Sequence, residues 1–434
     1  MKTLDKIKKN WDFNKTAEQN VITFSNEQEQ ARRKGERLRK RFFPLFVILG
    51  IAISIFTQNP LIALVLFMGA ISYSSEYVFN SASTYYLSVS ALDSTHFVVV
   101  YRDYGNSSYG TAIIGTISDS TISYSSEYVF NSATTYYISV SALDSTHFVV
   151  GYQDGGNSYY GTAIIGTISG STITYGSEYV FNKASTYNIS VSALDSTHFV
   201  VGYCDSGNSE YGTAIIGTIS GSTISYGSEY VFNSAGTYSI SVSTLDSTHF
   251  VVGYRDGGNS YYGTAIIGTV SGSTISYGSE YVFNSADTSY ISVSTLDSTH
   301  FVVGYRDGGN SNYGTCIIGT ISDSTISYGS EYVFNSATTY DISVSALDST
   351  HFVVGYQDGG NSYYGTAIIG TISGSTITYG SEYVFNKAST YNISVSALDS
   401  THFVVGYCDS GNSEYGTAIL GTIPPDFIPQ IIMM

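Results

Sequence analysis

The chain has 434 residues, only 12% of them charged, and a formal net charge of −17. That total hides two opposite parts: residues 1–41 carry 12 of the 17 basic residues against 6 acids, while the rest carries 5 basic and 28 acidic groups. Nucleic-acid binding relies on clustered Lys and Arg, so the large acidic part is excluded as a DNA or RNA partner.

In chain order, the basic tail over residues 1–41 comes first. Leu4, Ile7 and Trp11 would share one stripe of a helix, which suits an anionic leaflet, but the composition reads more simply as a disordered cytosolic tail. Phe42 to Ile71 then runs for 30 residues without a charge. As one helix it would be about 45 Å long, enough to cross a hydrocarbon layer of about 30 Å. Pro60, in the polar patch "TQNP", would bend it. A hairpin broken at that patch leaves two arms that are both too short to cross. We therefore expect a transmembrane signal anchor over residues 42–70, seated in the lipid bilayer. "ARRKGERLRKR" precedes the run and no Lys or Arg follows until Arg102, so the N-terminus is expected in the cytoplasm and the remainder outside. "FMGAIS" is a poor cleavage site for a signal peptide.

The rest of the chain is a repeat. The Asp of each "LDSTHF" falls at Asp93, Asp144, Asp195, Asp246, Asp297, Asp348 and Asp399, a constant step of 51 residues. Each unit reads as four strands: "ISYGSEYVF", then after "NSAST" the alternating "YYISVSAL", then "HFVVGY", then "TAIIGTIS". Val, Ile, Tyr and Thr runs bounded by Gly, Asn, Asp and Ser are strand and hairpin signals. The two-residue Gly-Ser link suits a tight hairpin in which glycine supplies a positive φ. We label the strands A to D from "ISVSAL" outward. The repeat opens with a D strand at Ile71–Asn80 and ends with a C strand at Tyr415–Ile423. The last unit therefore lacks its D strand unless the first segment supplies it, a 3+1 closure that also removes a free sheet edge.

With this period, strand content and closure, residues 71–424 resemble the seven-bladed β-propeller superfamily. They lack the Trp-Asp ending of WD40 blades, the Gly-Gly signature of kelch blades and the Asp-x-Asp-x-Asp calcium loops of integrin-type blades. The expected architecture is all-β: a basic tail (1–41), an anchor (42–70), a propeller (71–424) and a short C-terminal tail (425–434).

Several residues invite chemistry. His96, His147, His198, His249, His300, His351 and His402 recur once per blade, but at the start of strand B, too far apart to share an ion; each is expected to bond the A–B turn with its neighbouring Asp. "DGGNS" offers too few oxygens for Ca²⁺ and reads as a hairpin turn. No metal or cofactor is expected. Cys204, Cys316 and Cys408 give neither a disulfide framework nor a zinc signature, and read as small apolar residues or surface thiols. Asn106, Asn188 and Asn392 stand in glycosylation sequons.

Comparison of the copies within the chain is more informative. Differences cluster after the Tyr ending strand B (Arg102, Gln153, Cys204, Arg255, Arg306, Gln357, Cys408), before the Tyr-Gly of strand C (Ser108, Tyr159, Glu210, Tyr261, Asn312, Tyr363, Glu414) and at the start of strand A (Tyr86, Tyr137, Asn188, Ser239, Tyr290, Asp341, Asn392). The D–A and B–C links of a propeller emerge on one face. The candidate ligand-binding residues are therefore Tyr86, Arg102, Tyr137, Tyr159, Glu210, Arg255, Tyr261, Tyr290, Arg306, Tyr363 and Glu414. Residues 119–220 and 323–424 match almost throughout, an offset of four repeats that would suit a repetitive ligand. The pattern predicts a surface binding module for a glycan or surface protein. A structural surface protein without a ligand is the rival. A hydrolase or lyase fits less well, because a site copied sevenfold is unlike an asymmetric catalytic pocket.

Overall fold

The computed structural model describes residues 71–423; the basic tail, the apolar run 42–70 and residues 424–434 lie outside them. Among the described residues no helix is long and apolar enough to cross a membrane. They form 28 strands and five short 3-10 turns, arranged as repeated four-stranded antiparallel blades. In the first blade, strand B is His96–Asp103 and strand C is Tyr109–Ser118, paired in unbroken register from His96↔Thr116 to Asp103↔Tyr109. Strand B is the middle of the blade, and Phe97, Val98, Val99, Val100 and Tyr101 are fully buried. The tip of the Phe97 ring lies against Gly115 of strand C and leaves no room for a Cβ there. That close approach accounts for the glycine in "AIIGT".

The C–D hairpins have the expected two-residue links. The first linking residue has positive φ, 60–61° at Gly170, Gly221, Gly272 and Gly374, and 55–56° at Asp119 and Asp323. Two features differ from the sequence reading. Strand D is interrupted, for example between Thr121–Tyr124 and the strand that starts at Tyr128. The link "NSAST" is also no turn, because Tyr128–Ala142 is a single 15-residue strand. Its first part pairs with strand C of one blade (Ala112↔Tyr128, Gly110↔Asn131) and its second part with strand B of the next (Thr135↔Asp154 to Ala142↔Phe148). The crossing is held by side chains: Asn131 Nδ2 donates to Thr135 Oγ1 (3.1 Å) and to Asp154 Oδ1 (3.0 Å), and Thr135 donates to the Ala133 carbonyl. These bonds serve the polar groups that a compact turn would otherwise satisfy.

Strand A is the inner edge of every blade, and its free N–H groups need partners. The serines of "ISVSA" supply them. Ser88 Oγ accepts from Val140 N–H and Ser90 Oγ from Ala142 N–H of the next blade. The pattern recurs around the molecule and closes where Ser394 and Ser396 accept from Val89 and Ala91 at 3.0 Å. The rim closes in the same way. Tyr124 donates to the Tyr77 carbonyl of the neighbouring blade, and Tyr73 donates to that of Tyr383. Residues Ser72 and Tyr73 pair with Thr422 and Gly421, and Tyr77 to Ser83 pair with Ala418 to Tyr415. The N-terminal strand thus supplies the outer strand of the last blade, and the repeats form a ring of seven.

Candidate ligand-binding face

At each blade junction the B–C loop of one blade lies against the start of strand A of the next. The carbonyl of Ser108 accepts from Thr135 N–H (3.1 Å), and that of Glu414 accepts from Thr84 N–H (3.0 Å). The two sets of variable positions therefore meet on one face, as the sequence comparison expects. Beneath the loop, Asp103 Oδ1 accepts from Gly105 N–H and from Asn80 Nδ2. The Asp of "DGGNS" is thus buried and bonded within the framework. Among the described residues no cluster of three or more His, Cys, Asp or Glu could hold a metal.

The backbone at the variable positions is unusual. Tyr86, Tyr137, Asn188, Ser239, Tyr290, Asp341 and Asn392 have φ between 46° and 53°, and Ser108, Tyr159, Glu210, Tyr261, Asn312, Tyr363 and Glu414 have φ between 61° and 63°. This left-handed region costs a residue with a Cβ roughly 1–2 kcal/mol and favours glycine. None of these positions holds glycine, and six hold tyrosine.

The aromatic side chains are displayed. Among the described residues, the exposed tyrosines are Tyr104, Tyr159, Tyr261, Tyr290, Tyr363 and Tyr391, and all stand in the B–C loops or at the start of strand A. Tyr104 is the most open, at 61%.

The arginines lie on these rings. The Arg102 guanidinium sits 4.6 Å from the Tyr136 centroid and 5.9 Å from that of Tyr104, with Nη2 donating to Ser108 Oγ. Arg306 sits 4.9 Å from Tyr290 and 5.3 Å from Tyr340, with Nε donating to Ser289 Oγ. Arg255 stacks on Tyr261 at 4.0 Å and is paired with Asp287 at 2.8 Å. Tyr86 touches Tyr137 (5.4 Å), Tyr136 touches Tyr159 (6.1 Å) and Tyr340 touches Tyr363 (6.0 Å). Glu210 and Glu414 accept from the phenols of Tyr238 and Tyr85 at 2.8 and 2.7 Å, which pushes both phenols up to about 12.

The structure thus groups the candidates by junction: Arg102 with Tyr136 and Tyr159, Arg255 with Tyr261, and Arg306 with Tyr290 and Tyr363 through Tyr340. It also adds Tyr85, Tyr136, Tyr238 and Tyr340, which the sequence comparison passed over. Their position is tyrosine in six blades and Ser289 in one, so it scarcely stands out among the differences.

The other repeated groups are framework. Each His ring lies on its Asp: His96 Nδ1 is 3.0 Å from Asp93 Oδ2, and Asp93 Oδ1 accepts from the Thr95 and His96 N–H groups. Burial opposes ionisation of Asp93, but the bonds from Thr95 and His96 outweigh it and hold the carboxyl below its ordinary range. These turns are at the far end of strand A from the variable face. The three cysteines are free and buried. Burial first, then Glu210 or Glu414, pushes the Cys204 and Cys408 thiols up to about 12, so they act as small apolar residues. Asn188 and Asn392 use their amide oxygens to accept from Ser239 and Tyr86 N–H. A shallow groove of about 610 Å³ beside Lys183 and Glu229 lies on the D–A crossing and reaches Asp205 and Gly207 of one B–C loop.

No family model matches the sequence, and no curated protein matches it. Solved structures are similar in shape. Sqt1 from Chaetomium thermophilum is 10% identical, over 82% of this chain and 100% of that one, with a TM-score of 0.50. A protein of unknown function from Dyadobacter fermentans is 11% identical, over 82% and 99%, with a TM-score of 0.51. AofleA from Arthrobotrys oligospora is 8% identical, over 72% and 90%, with a TM-score of 0.48. At these identities the likeness shows the fold alone, and together with the closed ring of blades it makes residues 71–423 a seven-bladed β-propeller.

Proposed function

We propose that the propeller is a surface binding module that recognises a glycan or a surface protein through the face built from the B–C loops and the starts of strand A. The observation that supports it is the left-handed backbone of the variable residues. The C–D turns of the same chain provide the comparison. At a similar φ, four of six turns use glycine and two use aspartate. On the variable face all fourteen positions keep a side chain, and six keep tyrosine, against a backbone preference of about 1 kcal/mol or more each. Local strain retained at displayed aromatic residues suits recognition, because rigid rings and polar tips dominate binding surfaces.

A structural role without ligand is the second reading. Asn188, Asp341 and Asn392 favour it, since each accepts an N–H from the following blade. Retention on immobilised glycans or cell-surface extract separates the two. Binding that Tyr159→Ala with Tyr363→Ala weakens supports recognition. Retention unchanged by these substitutions, or none at all, supports the framework reading. We further propose that residues 42–70 anchor the domain outside the cell with residues 1–41 in the cytoplasm. Protease added to intact cells should then digest the propeller and spare the tail, and protection of the propeller would reverse that topology.

A further inference from the structure

The described residues hold five cations, Arg102, Lys183, Arg255, Arg306 and Lys387, among a large excess of acids. Arg255 is paired with Asp287. Arg102 and Arg306 have no carboxylate within 4 Å among the described residues, and both instead stack on tyrosines and bond one serine hydroxyl each. They stand four blades apart, each at a junction with a blade that presents a tyrosine pair, Tyr136–Tyr159 and Tyr340–Tyr363. The chain thus carries two copies of one cluster: a guanidinium, the ring beneath it, and an exposed ring beside it.

We propose that these two clusters bind carboxylate-bearing sugar residues of an acidic oligosaccharide, an inference that rests on the recognition reading above. Tyrosine faces pack against the apolar face of a sugar ring. Arg306 keeps both Nη groups beyond its Nε bond to Ser289, and Arg102 keeps Nη1 beside the Nη2 bonded to Ser108, so a carboxylate would be bonded end-on, in a planar way that lysine does not reproduce. Guanidinium groups without a carboxylate partner in so acidic a domain are what such a ligand needs. Of the other acids, Asp287, Glu210, Glu414 and Asp341 share this face, and each is already bonded, to Arg255, Tyr238, Tyr85 and the Asn392 N–H in turn. Seven more are in the A–B turns at the far end of strand A, beyond a screening length of about 8 Å in physiological salt. The seven B–C aspartates are turned inward to asparagine and backbone N–H, as Asp103 is to Asn80 and Gly105. Two sites on one face would engage one chain of acidic sugars together, gaining avidity.

The test uses the full chain in detergent and three probes: oligogalacturonate, its neutral galactose counterpart and poly-L-glutamate. The variants are Arg102→Gln and Arg306→Gln. Glutamine already occupies this position at Gln153 and Gln357, so the repeat tolerates it. The expected result is tighter binding of oligogalacturonate than of the neutral oligomer, a loss of about tenfold or more in the double variant, and an unchanged melting temperature. Equal affinity for the acidic and neutral oligomers, or acidic binding indifferent to both arginines, overturns the proposal while neutral binding sensitive to Tyr159→Ala with Tyr363→Ala leaves the recognition reading standing. Arginine-dependent binding of poly-L-glutamate without saccharide binding overturns the saccharide class in favour of an acidic peptide. No binding of any probe or cell-surface extract overturns both.

Discussion

Tyr407 donates its phenol hydrogen bond to Glu76 at 3.0 Å, although 331 residues of chain separate them. The same bond joins Tyr152 to Glu178 and Tyr254 to Glu280 inside continuous blades, at 2.7 and 2.6 Å. The seam between the first and last strands of the propeller is therefore built from the same parts as the interior of a blade.

If the seam is equivalent, Tyr407→Phe and Tyr152→Phe should lose similar stability, about 1 kcal/mol each as for a typical hydrogen bond, in denaturant unfolding. Deletion of residues 71–80 removes most of the outer strand of the last blade and should give an aggregating product in size-exclusion chromatography. A well-behaved monomer after that deletion would mean that the ring does not need its latch.

The central serines give a second prediction. Ser394→Ala removes the acceptor of Val89 N–H, and Ser396→Ala that of Ala91 N–H. Each should cost about 0.5–1.5 kcal/mol. The equivalent changes at Ser88 and Ser90 should cost the same, because the inner ring is continuous. Thermal melting of the four single variants checks this.

Strain and function separate at two kinds of left-handed residue. Asp119 has φ 55° in a C–D turn where four other blades hold glycine, so Asp119→Gly should stabilise by about 0.5–1 kcal/mol and leave binding unchanged. Tyr159→Gly relieves the same strain but loses the ring contact with Tyr136. Its stability should change little, since an aromatic pair contributes about 0.5–1.5 kcal/mol, while ligand retention falls. Calorimetry beside a binding assay distinguishes the two.

The A–B turns set the acid response. Asp93, Asp144, Asp195, Asp246, Asp297, Asp348 and Asp399 all have carboxyls held below the ordinary 3.8: burial pushes the other way, but threonine and histidine bonds prevail. A depressed carboxyl gives stability that is present above 3.8 and lost as pH falls through its folded value. The melting temperature should therefore drop below pH 4 or so, and Asp144→Asn with Asp195→Asn should flatten that limb. A limb of unchanged slope in the variant would assign the acid response elsewhere.

Much of this architecture is legible in the residues. The 51-residue step and the alternation of β-branched residues give strands, blades and the latch, because strand formation answers to local side-chain pattern. The histidine turns and the hairpin glycines follow from the same local chemistry. The extended D–A crossing does not, since it depends on Asn131 reaching Thr135 and Asp154, and the last is 23 residues away. Nor does the junction cluster. Arg102 meets Tyr136 of the next blade only once the two blades pack side by side, and the near-constancy of that tyrosine hides it from a search for differences.

Hydroxyl-radical footprinting of tyrosines, with and without a retained cell-surface extract, tests the binding face most directly. Protection of Tyr104, Tyr159, Tyr261 and Tyr363, with His96 and the other A–B histidines unchanged, is the predicted result. Protection at the histidine turns with these tyrosines still reactive would contradict it.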